Sequence, residues 1–319
     1  MEAPRVTMIV ATYNHAPFIE AALASAFAQE YPSLDILIAD DASTDDTYAR
    51  AERAVANYRG PHHVRLHRQP SNLGPFGNHR WLCETADTAW IVTADGDDMS
   101  MPDRVSKLMA CARETGASYI TSNAGLIDGE SQVRGLYLSH GAVGPSDLMD
   151  MATNGYRRHF LGATSAYERR LLTEFGFLEE EKMSGGGADH VLPFRAGFFG
   201  GARYVDDVLL MYRQHHGQMT RRTTDFTQSR DVAIEGELAY NLKNMMQSWA
   251  DIETWERIHP EDRRADAARH ALLVRILRTT RGWSDLRTRM LAAGLRPTWI
   301  DRAAFEDRVV ADVFQPAKK

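Results

Sequence analysis

The sequence is poor in cysteine, in long apolar runs and in surplus positive charge. Its 319 residues include only Cys83 and Cys111, which lie far apart and form no CxxC or Cys/His metal spacing. They predict reduced, buried thiols and exclude a disulfide scaffold. No apolar run approaches the ~20 residues that a membrane-spanning helix needs. The opening "PRVTMIVATYN" lacks the basic region, apolar core and cleavage site of a secretory leader, so a cytoplasmic location is expected. A formal net charge of −6 gives no general basis for nucleic-acid binding. Several catalytic signatures are also missing. No G-x-G-x-x-G follows the first predicted strand, which disfavours a nicotinamide-binding domain. The chain also has no Walker A sequence, no G-x-S-x-G elbow and no H-E-x-x-H.

What is present is a composition of 44% apolar and 25% charged residues, long enough to bury a real core in one large domain or one and a half. Over the first 120 residues, short β-type runs alternate with helical stretches. The runs are "VTMIV" (6–10), "DILIA" (35–39), "HVRLH" (63–67) and "AWIVTA" (89–94). The helices are predicted over 17–29, about 46–57, about 76–86 and 102–115, with Pro17 and Pro102 at first helical positions. This alternation predicts an α/β fold with a mostly parallel sheet flanked by helices. Ligands of such sheets bind beyond the carboxyl ends of the strands. The polar clusters sit there: "TYN", "DDASTDD", "QPSNLG" and "DGDD" follow the four strands in turn. Residues 121–224 are less regular and read as an acceptor-side half beside the 1–120 half. From 225 to 319 the texture is helical throughout, so a C-terminal helical extension is predicted after a 1–224 domain.

"TADGDDMSMPDR" brings Asp95, Asp97 and Asp98 within four positions. Carboxylates so close resist ionising together unless a cation sits among them. An EF-hand is excluded, because the twelve residues from Asp95 have Gly at the second position and Ser at the twelfth. A lone acidic residue on a loop is usually only solvated. Two acidic clusters, Asp40/Asp41 and Asp95/Asp97/Asp98, at one end of one sheet suggest instead a hard divalent ion bridged to a diphosphate.

"VTMIVATYNHAPFIEAALASAFAQEYPSLDILIADDASTDDT", "NLGPFGN", "TADGDDMSMPDR", "GGADHVLPFRAGFFG" and "VLLMYRQHHGQMT", in that order, resemble family 2 glycosyltransferases of the GT-A fold over about residues 5–222. The resemblance implies a Rossmann-like sheet and a set of roles. Ala11, Thr12 and Tyr13 should line the nucleotide base, and Asp41 should accept a hydrogen bond from its ring N–H. Asn72 and either His79 or Arg80 should meet the nucleotide, and Asp97 should sit near the ribose and sugar. Asp98 and His215 should ligate Mn2+ or Mg2+, with Asp95 a structural acceptor. Asp189 matches the general base. The base motif is commonly Glu-Asp, whereas here Ala188 precedes Asp189, and Glu179, Glu180 and Glu181 stand upstream as rival bases.

Between 263 and 296, nine arginines face only Asp266 and Asp285, a local charge of about +7, while Leu272, Leu273, Ile276 and Leu277 recur at helical spacing. Three readings compete for this stretch: an amphipathic helix packed on the main domain, a peripheral contact with anionic membrane or a lipid-diphosphate acceptor, and a homodimer interface. The sequence as a whole predicts a soluble, metal-dependent, inverting glycosyltransferase. Its expected donor is a UDP sugar, and its expected acceptor is a glycan or lipid-linked hydroxyl in bacterial surface polysaccharide synthesis. The alternatives are a sugar-phosphate nucleotidyltransferase, whose Gly-rich N-terminal loop is missing, and a catalytically silent nucleotide-sugar-binding module. Ala188 favours the silent module, and an intact Asp98 and Asp189 oppose it.

Overall fold

The computed structural model of the protein describes residues 3–138, 144–155, 160–178, 188–215 and 230–292, excepting the side chains of 230–239 and 283–292. The chain divides into two compact units, one of Met1–Met151 with Gly155–Gln218 and one of Met219–Lys319 with Ala152–Asn154.

The first unit starts with the predicted alternation: β1 (Val6–Thr12), α1 (Ile19–Phe27), β2 (Leu34–Asp40), α2 (Thr47–Asn57), β3 (His63–Arg68), α3 (Gly74–Thr85) and β4 (Trp90–Asp95). It continues through β5 (Met99–Ser100), α4 (Arg104–Thr115), β6 (Tyr119–Asp128), β7 (Val133–Leu136) and α5 (Leu148–Asn154), whose last three residues group with the second unit. A 3-10 turn (Gly162–Thr164), β8 (Ala166–Glu168), α6 (Arg170–Thr173), α7 (Ala188–Ala196) and β9 (Ala202–Gln214) complete it. The nine strands described form one sheet in the order β3-β2-β1-β4-β8-β6-β9-β5, with β7 paired to β6. β1 to β4 are parallel, β8 runs antiparallel to both its neighbours, and β6 runs parallel to β9.

β2 is buried at every position and β1 at all but Ala11. Helices cover both faces of an inner parallel strand, so its sequence is a continuous apolar run. Val6, Met8, Val10, Ile36, Ile38 and Val92 pack there with Leu23 of α1 and Leu108 of α4. β3 stands at the edge of the sheet and accommodates two histidines and two arginines, its ends exposed. α4 stops at Gly116, whose φ of 69° is the left-handed conformation that closes a helix without a Cβ clash. Pro17 and Pro102 fall two residues before their helices, inside turns closed by Phe18 N–H to His15 O and Arg104 N–H to Met101 O.

The register puts the polar clusters side by side. Thr12 aligns with Asp40, Asp40 with Arg68, and Ala11 with Asp95. The parallel strands thus end at one edge and present their loops together.

β6 departs from expectation. It is a ten-residue strand through Thr121, Ser122 and Asn123, all buried, where the sequence suggested irregular chain. Asn123 meets its own demands: its Nδ2 donates to Leu138 O (3.0 Å) and Asp206 Oδ1 (3.3 Å), and its Oδ1 accepts from Leu138 N–H (3.2 Å).

In the second unit, α8 (Arg230–Ile258) and α9 (Arg264–Ala292) are joined by a short turn at 259–263. Leu242, Met245, Trp249 and Ile252 form a buried stripe at three- and four-residue spacing on α8, as do Ala265, Ala268, Leu272 and Ile276 on α9. Part of the arginine excess is paired: Arg263 with Asp266, Arg264 with Asp262, and Arg269 with Glu256 and the Trp249 ring. Among the described residues, no helix is long and apolar enough to cross a membrane.

Candidate functional site

The loops after β1 and β2 are tied into one surface. Asp41 N–H donates to Thr12 O (2.9 Å) and Gly96 N–H to Ala11 O (2.8 Å). Ser43 donates from its main chain and its hydroxyl to Asp40 (3.0 and 2.5 Å), and Thr44 N–H donates to Asn14 Oδ1 (2.9 Å). Two residues here hold left-handed backbone, Asn14 (φ 54°) and Ala42 (φ 56°). Asn tolerates that region, whereas Ala pays for it in steric strain.

Asp41 is buried, and its Oδ1 accepts the N–H of Leu73 at 2.7 Å. Burial raises its pKa, and the Leu73 and Gly74 N–H groups partly counter that. Asn72 Oδ1 accepts from Gly74 N–H (2.9 Å) where α3 opens. Ala11, Thr12, Asp41 and the 72–74 turn therefore share one rim, beside an exposed Tyr13. The two cationic candidates differ. Burial pushes the His79 pKa down to about 4, so it is neutral at pH 7, and its Nδ1 faces Cys83 Sγ at 3.6 Å. Arg80 reaches solvent and pairs with Glu84 at 2.7 Å.

Two buried arginines back the acidic turn after β4, Arg213 bonding it directly and Arg104 bonding the strands and turn around it. The Arg213 main-chain N–H donates to Asp98 Oδ1 (2.8 Å) and its Nε to Asp97 O (2.7 Å). Its Nη1 donates to Asp128 O (2.8 Å) and Ser131 Oγ (2.9 Å) in the β6–β7 turn. Arg104, fully buried, donates to Ser100 Oγ (2.9 Å), Thr93 O (2.7 Å) and Ala163 O (2.7 Å). Burial lowers its pKa to about 10, which leaves it charged at neutral pH beside Asp98 and Asp95.

The three acids differ in consequence. Burial, then the charge of Asp97, raises the Asp95 pKa to about 7, and burial with Asp97 and Asp95 raises Asp98 well above the carboxylate range. Burial also penalises Asp97, but the hydrogen bond from His215 and the charge of His15 outweigh it and hold its pKa below the usual value. His215 Nε2 lies 3.0 Å from Asp97 Oδ2, and His15 Nε2 lies 3.8 Å from the same oxygen. Asp97, expected beside the ribose, is thus held between two imidazoles. The buried Asp98 Oδ2 has no hydrogen-bond partner.

An orphaned carboxylate oxygen in a cluster that resists full ionisation calls for a cation. The chemistry of the donors fits a divalent ion: one ligand atom each from His15, Asp97 and His215 lies within 4.8 Å of the others.

Asp189 stands in the first turn of α7. Its carboxylate accepts the Gly162 N–H, and burial, with Asp95 adding to it, raises its pKa to about 7. The turn carrying Gly162 is fastened to β4 by Thr93 Oγ1 donating to Gly162 O (2.5 Å) and by Arg104 bonding Ala163 O. Asp189 and the acidic turn therefore hang on one frame. Glu179 to Glu181 lie outside the described residues.

Sequence reasoning passed over His15, Arg104, Arg213, Gly96 and Gly162. The only local signals were a histidine two residues beyond Tyr13, an arginine opening α4, and an arginine inside "YRQHHG".

Residues 7–176 match the sequence profile of Glycosyl transferase family 2. Among curated proteins the chain is similar to the succinoglycan biosynthesis protein ExoO of Rhizobium meliloti (strain 1021), 36% identical over 132 residues, which are 41% of this chain and 36% of that protein. It is also similar to the GalNAc(5)-diNAcBac-PP-undecaprenol beta-1,3-glucosyltransferase of Campylobacter jejuni, 26% identical over 180 residues, 56% of each. The matches thus span about a third to about a half of these relatives' length. Among solved structures it is similar to S. aureus TarS 1-349 in complex with UDP-GlcNAc (TM-score 0.52, 16% identity, 81% of this chain and 74% of that one). The mannosyltransferase PcManGT of Pyrobaculum calidifontis, in complex with GDP-Man and Mn2+, gives a TM-score of 0.50 at 18% identity over 99% of this chain and 82% of that one. At these identities the likeness is one of fold, the GT-A fold.

Proposed function

Because the chain belongs to glycosyl transferase family 2, we propose that it moves a sugar from a UDP-linked donor to a hydroxyl of a glycan or lipid-linked acceptor, inverting the anomeric carbon. Two observations carry this reading: the buried Asp98 Oδ2 at the strand ends has no hydrogen-bond partner, and the neighbouring Asp97 carboxylate stands between two imidazoles. A divalent ion held by Asp98 and His215, with Asp97 at hand, would supply the positive charge that a departing diphosphate needs.

The chain's own residues do the rest. The rim of Ala11, Thr12, Tyr13 and Asp41 receives the base, with one Asp41 oxygen already committed to Leu73 N–H. Asn72 flanks the nucleotide. Arg80 supplies the cation, since His79 is neutral at pH 7. Arg213 and Arg104 keep the acidic turn rigid, so that it does not reorganise as charge develops.

Asp189 takes the proton of the attacking hydroxyl. The acceptor oxygen forms its bond to the anomeric carbon as the bond to the diphosphate breaks, and the electron pair leaves with the nucleotide. One displacement without a protein nucleophile inverts configuration. The pKa of about 7 suits Asp189 to this task, because a base poised near the working pH is ionised yet still basic. The similarity to a succinoglycan biosynthesis protein and to a glucosyltransferase acting on a PP-undecaprenol-linked glycan supports a polysaccharide or polyprenyl-diphosphate-linked acceptor.

A thermal-shift panel of nucleotide sugars with and without Mn2+ tests the reading. Ligand binding raises the melting temperature by mass action, so a UDP sugar should stand out only when metal is present. No stabilisation by any nucleotide sugar would overturn it.

A further inference from the structure

His15 is held in place from three sides. Its carbonyl accepts the N–H groups of Phe18 (2.8 Å) and Ile19 (2.9 Å) as α1 begins. Its Nδ1 faces Thr12 Oγ1 at 3.4 Å, which leaves Nε2 turned toward Asp97 Oδ2 at 3.8 Å. The acidic turn lies flush against this corner because residue 96 is glycine. A Cβ there would come within 2.4 Å of Thr12 Oγ1 and 2.9 Å of His15 Nδ1. The second imidazole, His215, comes from the far end of β9 and is braced by the Phe18 ring at 4.8 Å.

Two ligands on one ion with bonds of ~2.1 Å can be at most ~4.2 Å apart. The Asp97–His215 and Asp97–His15 separations of 3.0 and 3.8 Å are inside that span. The third pair is within 4.8 Å, at most ~0.6 Å beyond it.

We propose that His15 is a second imidazole ligand of this site, tuning it toward first-row transition ions such as Co2+ and Zn2+ and away from Mg2+. The inference rests on the reading that Asp98 and His215 hold a divalent ion, and it adds Asp97 and His15 to that set. Mg2+ gives up water reluctantly and prefers carboxylate and phosphate oxygens. Each imidazole nitrogen adds affinity for borderline metals along the Mn2+, Co2+, Zn2+ direction and adds little for Mg2+.

The test uses the full chain with UDP and titrates Co2+ and Mg2+ calorimetrically. His15→Asn should weaken Co2+ about 10-fold or more while leaving Mg2+ nearly unchanged, and should shift the visible Co2+ bands. An unchanged Co2+-to-Mg2+ affinity ratio with an unchanged spectrum would overturn the proposal. Pulsed EPR of the Mn2+-loaded parent is independent of the variant's folding: two coupled imidazole nitrogens support the proposal and a single one overturns it. If the parent shows one nitrogen and Asp98→Asn still abolishes ion binding, His15 is removed and the glycosyl-transfer reading stands. If no ion binds the parent with UDP, the proposal and the metal-dependent reading both fall.

Discussion

The Gly162 N–H donates to the Asp189 carboxylate, and no side chain fits at residue 162, since a Cβ there would come within 2.2 Å of Asp189 Oδ1. The glycine gives the carboxylate a fixed seat, and the Thr93 and Arg104 bonds fix the glycine. Asp189→Asn keeps that seat, because an amide oxygen also accepts the N–H. The variant should fold and bind donor, and its transfer rate should fall ~10²–10⁴-fold. Initial-rate kinetics with near-parental turnover would move the base elsewhere.

The raised pKa of Asp189 makes a separate claim. With a folded pKa of about 7 against an unfolded value of 3.8, ionising this group opposes folding. The penalty is absent below the unfolded value, grows between the two and is complete above 7. Asp189→Asn should therefore gain stability over the parent as pH rises from 5 to 8, and the parent's turnover should climb through an apparent pKa near 7. Equal melting-temperature differences at pH 5 and 8 would show that the carboxyl is not perturbed.

Asp98→Asn removes the charge while keeping an oxygen for the Arg213 N–H. Stabilisation by UDP with Mn2+ should be lost. Without metal the variant should melt higher than the parent at pH 8, because a buried carboxylate crowded by Asp97 and Asp95, with one oxygen unsatisfied, is costly. Metal-dependent stabilisation undiminished in the variant would remove Asp98 from the ion.

Ala42, at φ 56°, carries a strain that glycine would not. Ala42→Gly should stabilise the protein by ~0.5–1 kcal/mol, the relief of left-handed strain exceeding the entropy cost of glycine. Urea denaturation measures this, and a loss of stability would mean that the Ala42 methyl is needed for packing.

The strands β1, β2 and β4 were legible because each is an apolar run bounded by turn residues, and their parallel course follows from the helices between them; their order in the sheet does not. β6 was not, because Thr121, Ser122 and Asn123 look like loop until Leu138 and Asp206 arrive to satisfy Asn123. The polar clusters could be placed at one sheet edge from the alternation alone. His15 could not be joined to His215, since the two are 200 positions apart in the chain and only the fold brings their rings to 6.1 Å. Arg104 read as an ordinary helix-opening cation, and its burial behind the acids depends on β4 and the 162–164 turn closing over it.

The two borders of the sheet bear on how copies behave in concentrated solution. An open strand border offers unpaired main-chain groups to which another molecule can add, and unchecked addition ends in aggregates. Here one border, β3, carries His63 and Arg68 exposed at its ends with Arg65 and His67 half-buried between them, and the strand at the other end of the order, β5, is only two residues long. A copy approaching the first meets the guanidinium groups of Arg65 and Arg68, and β5 itself offers few main-chain bonds. The guanidinium groups that cost the edge strand its apolar character are thus of the kind that discourages such addition.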